Sequence, residues 1–231
     1  MTIEMHDLAG ANPDVRFSPF CWRARMALAH KGLDVKTIPW RFSDKETIAF
    51  SGQGLVPVIR DGGKVVHDSW AIAEYLDEAY PEQPGLMDGP QGRALASFAR
   101  HYAQSVINPV ALKAVLLDIY NCLDEGDKKY FRDSREKRVG MTLEAFTATP
   151  DAAFAAMKTA VATLRAVVQG QPFIHGDQPA FGDYCVFGTF MWARNVSKVK
   201  LLAEDDPVHA WRERMLDLFD GLARKSPGVG A

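Results

Sequence analysis

Between Pro81 and Gly92 the chain carries three prolines and three glycines, and the residues on either side follow different rhythms. Such a stretch suits neither a helix interior nor a strand ladder, and it reads as a connection between two folding units. Ahead of it, short β-like runs alternate with helical ones. Thr2–Leu8 reads as a strand, and Pro19–His30 as a helix stopped at Lys31-Gly32, where glycine accepts the left-handed cap. Leu33–Pro39 is a second strand. Pro57–Arg60 and Lys64–His67 flank Asp61-Gly62-Gly63, a hairpin signal, and a helix follows with Ile72, Tyr75, Leu76 and Ala79 on one face. The order β-α-β, hairpin, helix predicts a small mixed β-sheet with packed helices over residues 1–85. Beyond the connection only helical periodicity remains. Leu95, Phe98, Ala99 and Tyr102 share one face, as do Phe154, Met157, Val161, Leu164 and Val168, and Trp211, Met215, Leu218 and Phe219. Residues 93–231 are therefore expected to form an all-helical bundle, an α/β unit followed by an all-α one, and 231 residues suffice for both cores.

Charge and composition narrow the function. The formal net charge is −2, from 27 basic and 29 acidic residues, and offers no footprint for nucleic acid or an anionic membrane surface. Charges interrupt every apolar segment before it could cross a bilayer, and the early Glu4, His6 and Asp7 are unlike a secretory signal. The three cysteines, Cys21, Cys122 and Cys185, are dispersed and odd in number, which points to a reducing, cytoplasmic compartment. No histidine stands at ligand spacing from another histidine or a cysteine, so no metal site is expected. Gly-rich phosphate loops are also missing.

Three short elements can carry chemistry. In Phe17-Ser18-Pro19-Phe20-Cys21-Trp22-Arg23-Ala24-Arg25, a serine precedes a proline at the first turn of a helix. Ser18 can be a helix cap and nothing more. It can also present its hydroxyl where the free N–H groups and the dipole favour an anion, so that a thiol held there ionises readily. Leu55-Val56-Pro57-Val58 precedes a strand; a cis bond before Pro57 would turn the Val56 backbone toward an extended peptide ligand. Asp68-Ser69 opens the next helix, either as a cap or as a second anion-binding terminus, with Asp68 able to hold an ammonium group.

In this order the three elements resemble the thioredoxin-like domain of the cytosolic glutathione transferases, and the helical second half extends the resemblance to essentially the whole chain. The resemblance implies a transferase with glutathione as co-substrate and no metal. Ser18 would hydrogen-bond the glutathione thiolate, Val56 beside Pro57 would pair with the cysteinyl backbone, Asp68 and Ser69 would hold the γ-glutamyl end, and Gln53 the glycine end. It also implies a homodimer acting on a small hydrophobic or aromatic electrophile. Ser18-Pro19-Phe20-Cys21 is in addition similar to a glutaredoxin Cys-Pro-x-Cys with serine in place of the attacking cysteine, leaving Cys21 at the resolving position. Pro179-Ala180-Phe181-Gly182-Asp183-Tyr184 resembles the family's buried helix start, with Ala180 where Ser or Thr is usual and the capping box therefore incomplete.

A narrower resemblance is to the bacterial glutathione-dependent β-aryl etherases and their fungal relatives. It rests on Val66–Glu78, Lys129–Glu136 and Leu216–Leu222. Those etherases carry a longer C-terminal extension, whereas this sequence reaches Ala231 soon after Leu222. The implied chemistry is displacement by bound thiolate, with a second substrate between the two halves. Trp40, Phe42, Tyr102 and Ile107 are the candidates for its apolar wall, with core packing as their alternative role. Arg132, Arg135 and Glu136 read as a solvated or ion-paired helix face. Two other functions stay open: thiol–disulfide exchange through Cys21, and non-catalytic carriage of apolar ligands.

Overall fold

The structure, a computed structural model, describes residues 2–230. Its first half is a four-stranded sheet ordered β2-β1-β3-β4. Strand β1 (Ile3–Leu8) pairs in parallel with β2 (Val35–Trp40), in register from Ile3↔Val35 to Leu8↔Trp40. On its other side β1 runs antiparallel to β3 (Val58–Asp61), which forms a hairpin with β4 (Lys64–His67). The parallel pair needs a crossover, and helix α1 (Pro19–His30) supplies it. Ser18 caps α1 and Gly32, at φ 64°, follows its end, as the sequence pattern requires. A 3₁₀ turn (Lys45–Ser51) leads to β3, and α2 (Ser69–Ala79) follows β4.

The second half contains eight helices among the described residues. They are α3 (Gly89–Tyr102), α4 (Asn108–Cys122), α5 (Glu125–Val139), α6 (Leu143–Phe146), α7 (Pro150–Ala160), α8 (Ala162–Val168), α9 (Phe181–Val196) and α10 (Pro207–Gly221). This is a thioredoxin-like domain followed by a helical bundle. A π-helical turn at Ala103–Ile107 joins α3 to α4. The Pro- and Gly-rich stretch is a connection only as far as Asp88, because Pro90 stands in the first turn of α3, where a missing N–H costs nothing.

Helix α9 organises the bundle. Every residue from Phe181 to Met191 is buried, as expected of a helix that is apolar on all sides. Its buried charge, Asp183, is satisfied three times: Oδ1 accepts from the Ile174 N–H (2.7 Å) and the Trp211 indole (3.0 Å), and Oδ2 from the Ala180 N–H (3.2 Å). Ala180 has no side-chain acceptor to return the bond, so the capping box is half formed. Burial pushes the Asp183 carboxyl up, and its three donors oppose that shift. On the side facing the sheet, α9 meets α1 with Gly188 against Pro19; a Cβ at Gly188 would lie 2.3 Å from the Pro19 carbonyl oxygen.

Two helical faces depart from the sequence expectation. On α3 the buried stripe is Ala96, Ala99 and, just beyond the helix, Ala103, whereas Leu95 and Phe98 are exposed. Small side chains let the α3 backbone approach α9 closely, and the larger ones one residue earlier point away. On α10 Trp211 and Met215 are buried, but regular geometry ends at Leu218; Phe219 and Asp220 take φ of 54° and 56°. This turn brings the Phe219 ring beside His30 and Tyr184 at 6.2 Å each.

Candidate functional site

The loop between β1 and α1 is held by both halves of the molecule. The Arg16 carbonyl accepts from the Trp22 indole (2.7 Å) and from the Asn195 amide on α9 (2.6 Å). Ser18 follows, 4% exposed, and its Oγ accepts from the Cys21 N–H at 3.2 Å. A hydroxyl has two acceptor lone pairs and one donor proton. Capping uses an acceptor, and the proton remains for a partner at the positive end of α1. The capping and the anion-stabilising roles of Ser18 are thus compatible.

Cys21 lies one turn deeper and is fully buried. Burial and the neighbouring Asp7 carboxylate push its thiol well above the ordinary value. A sulfur in that state supplies little thiolate and cannot be reached. Asp7 itself is fully buried, 3.5 Å from Arg25 and 3.8 Å from Arg16, and burial raises its carboxyl against the pull of both cations.

The Val56–Pro57 bond is cis. Among the described residues no backbone group pairs with the Val56 N–H or C=O, which leaves both for an extended ligand. Gln53 accepts from the Leu55 N–H (3.1 Å) and donates to the Leu55 carbonyl, so its amide braces this loop. Asp68 caps α2: Oδ1 accepts from the N–H groups of Trp70 (2.8 Å) and Ala71 (3.2 Å), while Oδ2 has no protein donor among the described residues. Ser69 is buried beside it.

Ser18 opens into a cavity of about 300 Å³ between the halves. The sheet half contributes Phe17, Ser18, Phe20, Trp40, Phe42, Leu55 and Val56; the helical half contributes Leu112, Leu116 and Ile119 from α4, Phe131, Arg135 and Arg138 from α5, and Trp192 from α9. The wall is largely apolar and aromatic, as small-molecule sites are. Other hollows, of about 420 and 780 Å³, lie by Lys198 and Lys200 and touch none of the three motifs of the sheet half.

Trp40 and Phe42 line this cavity, at 6.0 Å from each other with edge-to-face rings. Tyr102 and Ile107 do not. Ile107 is fully buried in the bundle, and the Tyr102 hydroxyl donates to the Ala160 carbonyl at 2.5 Å. Their places are taken by Leu112, Leu116 and Ile119, a stripe at helical spacing on α4. Arg132 does form the expected ion pairs, with Glu136 and Glu144 at 2.8 Å each. Arg135 does not belong to that face: its guanidinium lies over Phe131 (4.6 Å) and Phe42 (5.2 Å). The sequence reading also missed Asp127, buried on α5, whose carboxylate accepts from the N–H groups of Phe42 (3.0 Å) and Ser43 (2.8 Å). An acidic residue in the first turn of a helix is ordinary, and nothing local shows that it reaches a loop 84 residues earlier.

Residues 94–217 match the family model of the glutathione S-transferase C-terminal domain, more than half of the chain, and residues 17–79 match that of the N-terminal domain. The chain belongs to the glutathione S-transferase family. Relatives include a probable glutathione S-transferase of Oryza sativa subsp. japonica, 27% identical over 85% of this chain and 80% of that protein. Glutathione S-transferase Z2 of Arabidopsis thaliana is 39% identical over a shorter match, 38% of this chain and 41% of that protein. With several such curated relatives the match spans only about half or less of their length. Among solved structures, a Phanerochaete chrysosporium glutathione transferase shares the fold at TM-score 0.77 and 24% identity, over 96% of this chain and 92% of its own. A Ceriporiopsis subvermispora glutathione S-transferase, solved in complex with glutathione, has TM-score 0.76 and 25% identity over 94% and 96%. No helix of the described residues is long and apolar enough to cross a membrane.

Proposed function

We propose that this transferase binds glutathione along Val56, Asp68 and Ser69 and uses Ser18 to stabilise its thiolate for attack on an aromatic electrophile in the cavity. The observation that carries the reading is the Ser18 hydroxyl. It sits at the N-terminus of α1, carries a donor proton that capping does not use, and lines an apolar hollow. The Val56 backbone, unpaired beside its cis proline, supports docking of an extended tripeptide, and the free Asp68 oxygen supports an ammonium partner. In the reaction the thiolate sulfur forms a bond to carbon, and the leaving group departs with the electron pair of the bond that breaks. For a β-aryl ether that leaving group is a phenolate. This choice of substrate rests on the three sequence segments that resemble the etherases, with the aromatic wall of Trp40, Phe42, Phe131 and Trp192 suited to an aryl ring. The chain's contributions are thiolate stabilisation, alignment and exclusion of water.

Ser18→Ala is expected to lower kcat by about 10²-fold, the scale of losing one donor to a developing or held anion, with the KM for glutathione little changed. Steady-state kinetics with glutathione and an aryl halide or a β-aryl ether measures both constants; unchanged turnover would remove Ser18 from the chemistry. We further propose a homodimer in a reducing cytoplasm. Leu95, Phe98 and Val106 form an exposed apolar stripe beside the α3 terminus, and all three cysteines are free.

A further inference from the structure

Two arginines line a largely apolar cavity, and among the described residues no carboxylate pairs with either of them. Arg135 and Arg138 both line it, one helical turn apart on α5. Among the described residues neither forms an ion pair, although Arg132, a turn earlier on the same helix, has two. Arg135 donates a 2.8 Å hydrogen bond from Nη1 to the Ser134 hydroxyl and meets the Tyr130 hydroxyl, and its guanidinium carbon lies over the Phe131 and Phe42 rings. These contacts restrain the fork of donors, and the N–H groups they do not use are left to meet a ligand. The two positive charges also work against each other: burial and the nearby Arg138 both lower the Arg135 guanidinium from its ordinary value. A half-buried guanidinium beside a like charge and without a counterion is costly in a folded protein, and a bound anion relieves the cost. The surrounding Trp40, Phe42, Leu112, Leu116 and Phe131 would accept an aromatic body at the same time.

We infer that Arg135 and Arg138 form an anion-recognising edge to the cavity and select aromatic electrophiles that bear a carboxylate or sulfonate. This deepens the transferase reading and rests on it for the word electrophile; the recognition itself does not. The glycine carboxylate of glutathione has the same chemistry, and the experiment separates the two sources.

Binding is read first, without any reaction, by fluorescence titration with anilinonaphthalene sulfonate and with the neutral N-phenylnaphthylamine. The full-length protein is compared with Arg138→Gln, Arg135→Gln and Arg135→Lys. Arg138→Gln, at an exposed position, removes a charge with little risk to folding. The double glutamine variant is expected to weaken the sulfonate about tenfold, a loss in the range of charge-assisted hydrogen bonds, and to hold the neutral probe within about twofold. Arg135→Lys should retain most sulfonate binding. Equal weakening of both probes, or none, overturns the inference. Kinetics with a chlorodinitrobenzoate and the matching chlorodinitrobenzene follow; in each the carbon–sulfur bond forms as carbon–chlorine breaks and chloride leaves. A KM raised for the benzoate alone is the expected result. A raised KM for glutathione with both electrophiles would assign the edge to the tripeptide and overturn the electrophile assignment. If the unaltered protein turned over neither substrate while the sulfonate arm behaved as expected, the transferase reading would fail and the anion edge would stand.

Discussion

Asp68 holds φ 70° and ψ 130°, a conformation that side chains rarely accept away from functional sites, and it does so while capping α2. A glycine there would release backbone strain of about 1–3 kcal/mol, lose only a few tenths as a cap, and give back some of the gain through a freer unfolded chain. Asp68→Gly is therefore expected to stay within about 1 kcal/mol of the unaltered protein in denaturant unfolding. Its KM for glutathione should rise about tenfold, because the carboxylate oxygen left free by the cap is gone. A variant that keeps its affinity would separate the Asp68 strain from ligand binding. Ser18 gives the opposite case, an unstrained residue at φ −63° whose capping bond leaves its hydroxyl a donor for the proposed role. These residues were legible in the sequence because they act through local backbone geometry, where a helix start or a proline sets the conformation within a few positions.

The cavity wall depends on α5, whose buried Asp127 ties down the loop after β2. Removing that buried carboxylate leaves two part-buried amides without their acceptor, at a cost of about 3 kcal/mol for two charge-assisted bonds net of relaxation. Asp127→Ala should lower unfolding stability by about that amount and raise the KM for the aromatic electrophile through a looser Phe42, with the glutathione KM nearly unchanged. Asp127→Asn, with one acceptor oxygen, should fall between; a normal electrophile KM in both variants would show that Phe42 is held by other contacts. Elements were legible in kind but not always in facing. On α3, Leu95 and Phe98 share the period of the buried Ala96 and Ala99 and differ only in phase, so bulk suggested one stripe and close packing selected the other. Helix α4 is apolar on several sides, which hid the lining role of Leu112, Leu116 and Ile119. Arg135 looked like part of a charged face because its aromatic partner Phe42 is distant in sequence.

Across the whole molecule, the halves also meet at His30 and Tyr184, whose ring nitrogen Nδ1 and hydroxyl are 2.6 Å apart. Burial lowers the His30 pKa from 6.5; Lys31 adds to the shift, while a Gly85 backbone bond, Asp77 and Asp88 oppose it. His6 and His175 are lowered by burial as well. Above the unfolded value both states hold neutral rings. As pH falls through the window below 6.5, the unfolded chain takes up protons that the native state refuses, and stability declines. Asp7 and Asp183, with raised values, act in the opposite sense above 3.8. His30→Gln should cost about 1 kcal/mol at about pH 8 through the altered Tyr184 contact, yet lose less stability than the unaltered protein on going to about pH 6. Thermal unfolding at the two pH values tests this, and an equal loss in both proteins would exclude His30 as a contributor.

The missing side chain at Gly188 sets a compatibility rule for recombination within the family. The N-terminal end of α1 rests on a helix of the other half, with no room for a methyl group where the backbones touch. A helical half grafted from a relative would seat the Ser18 turn unchanged only if it brings glycine to that point. Any larger residue would push the Ser18 turn out of line before a single lining residue differed, so exchange of helical halves between members passes first through one backbone contact.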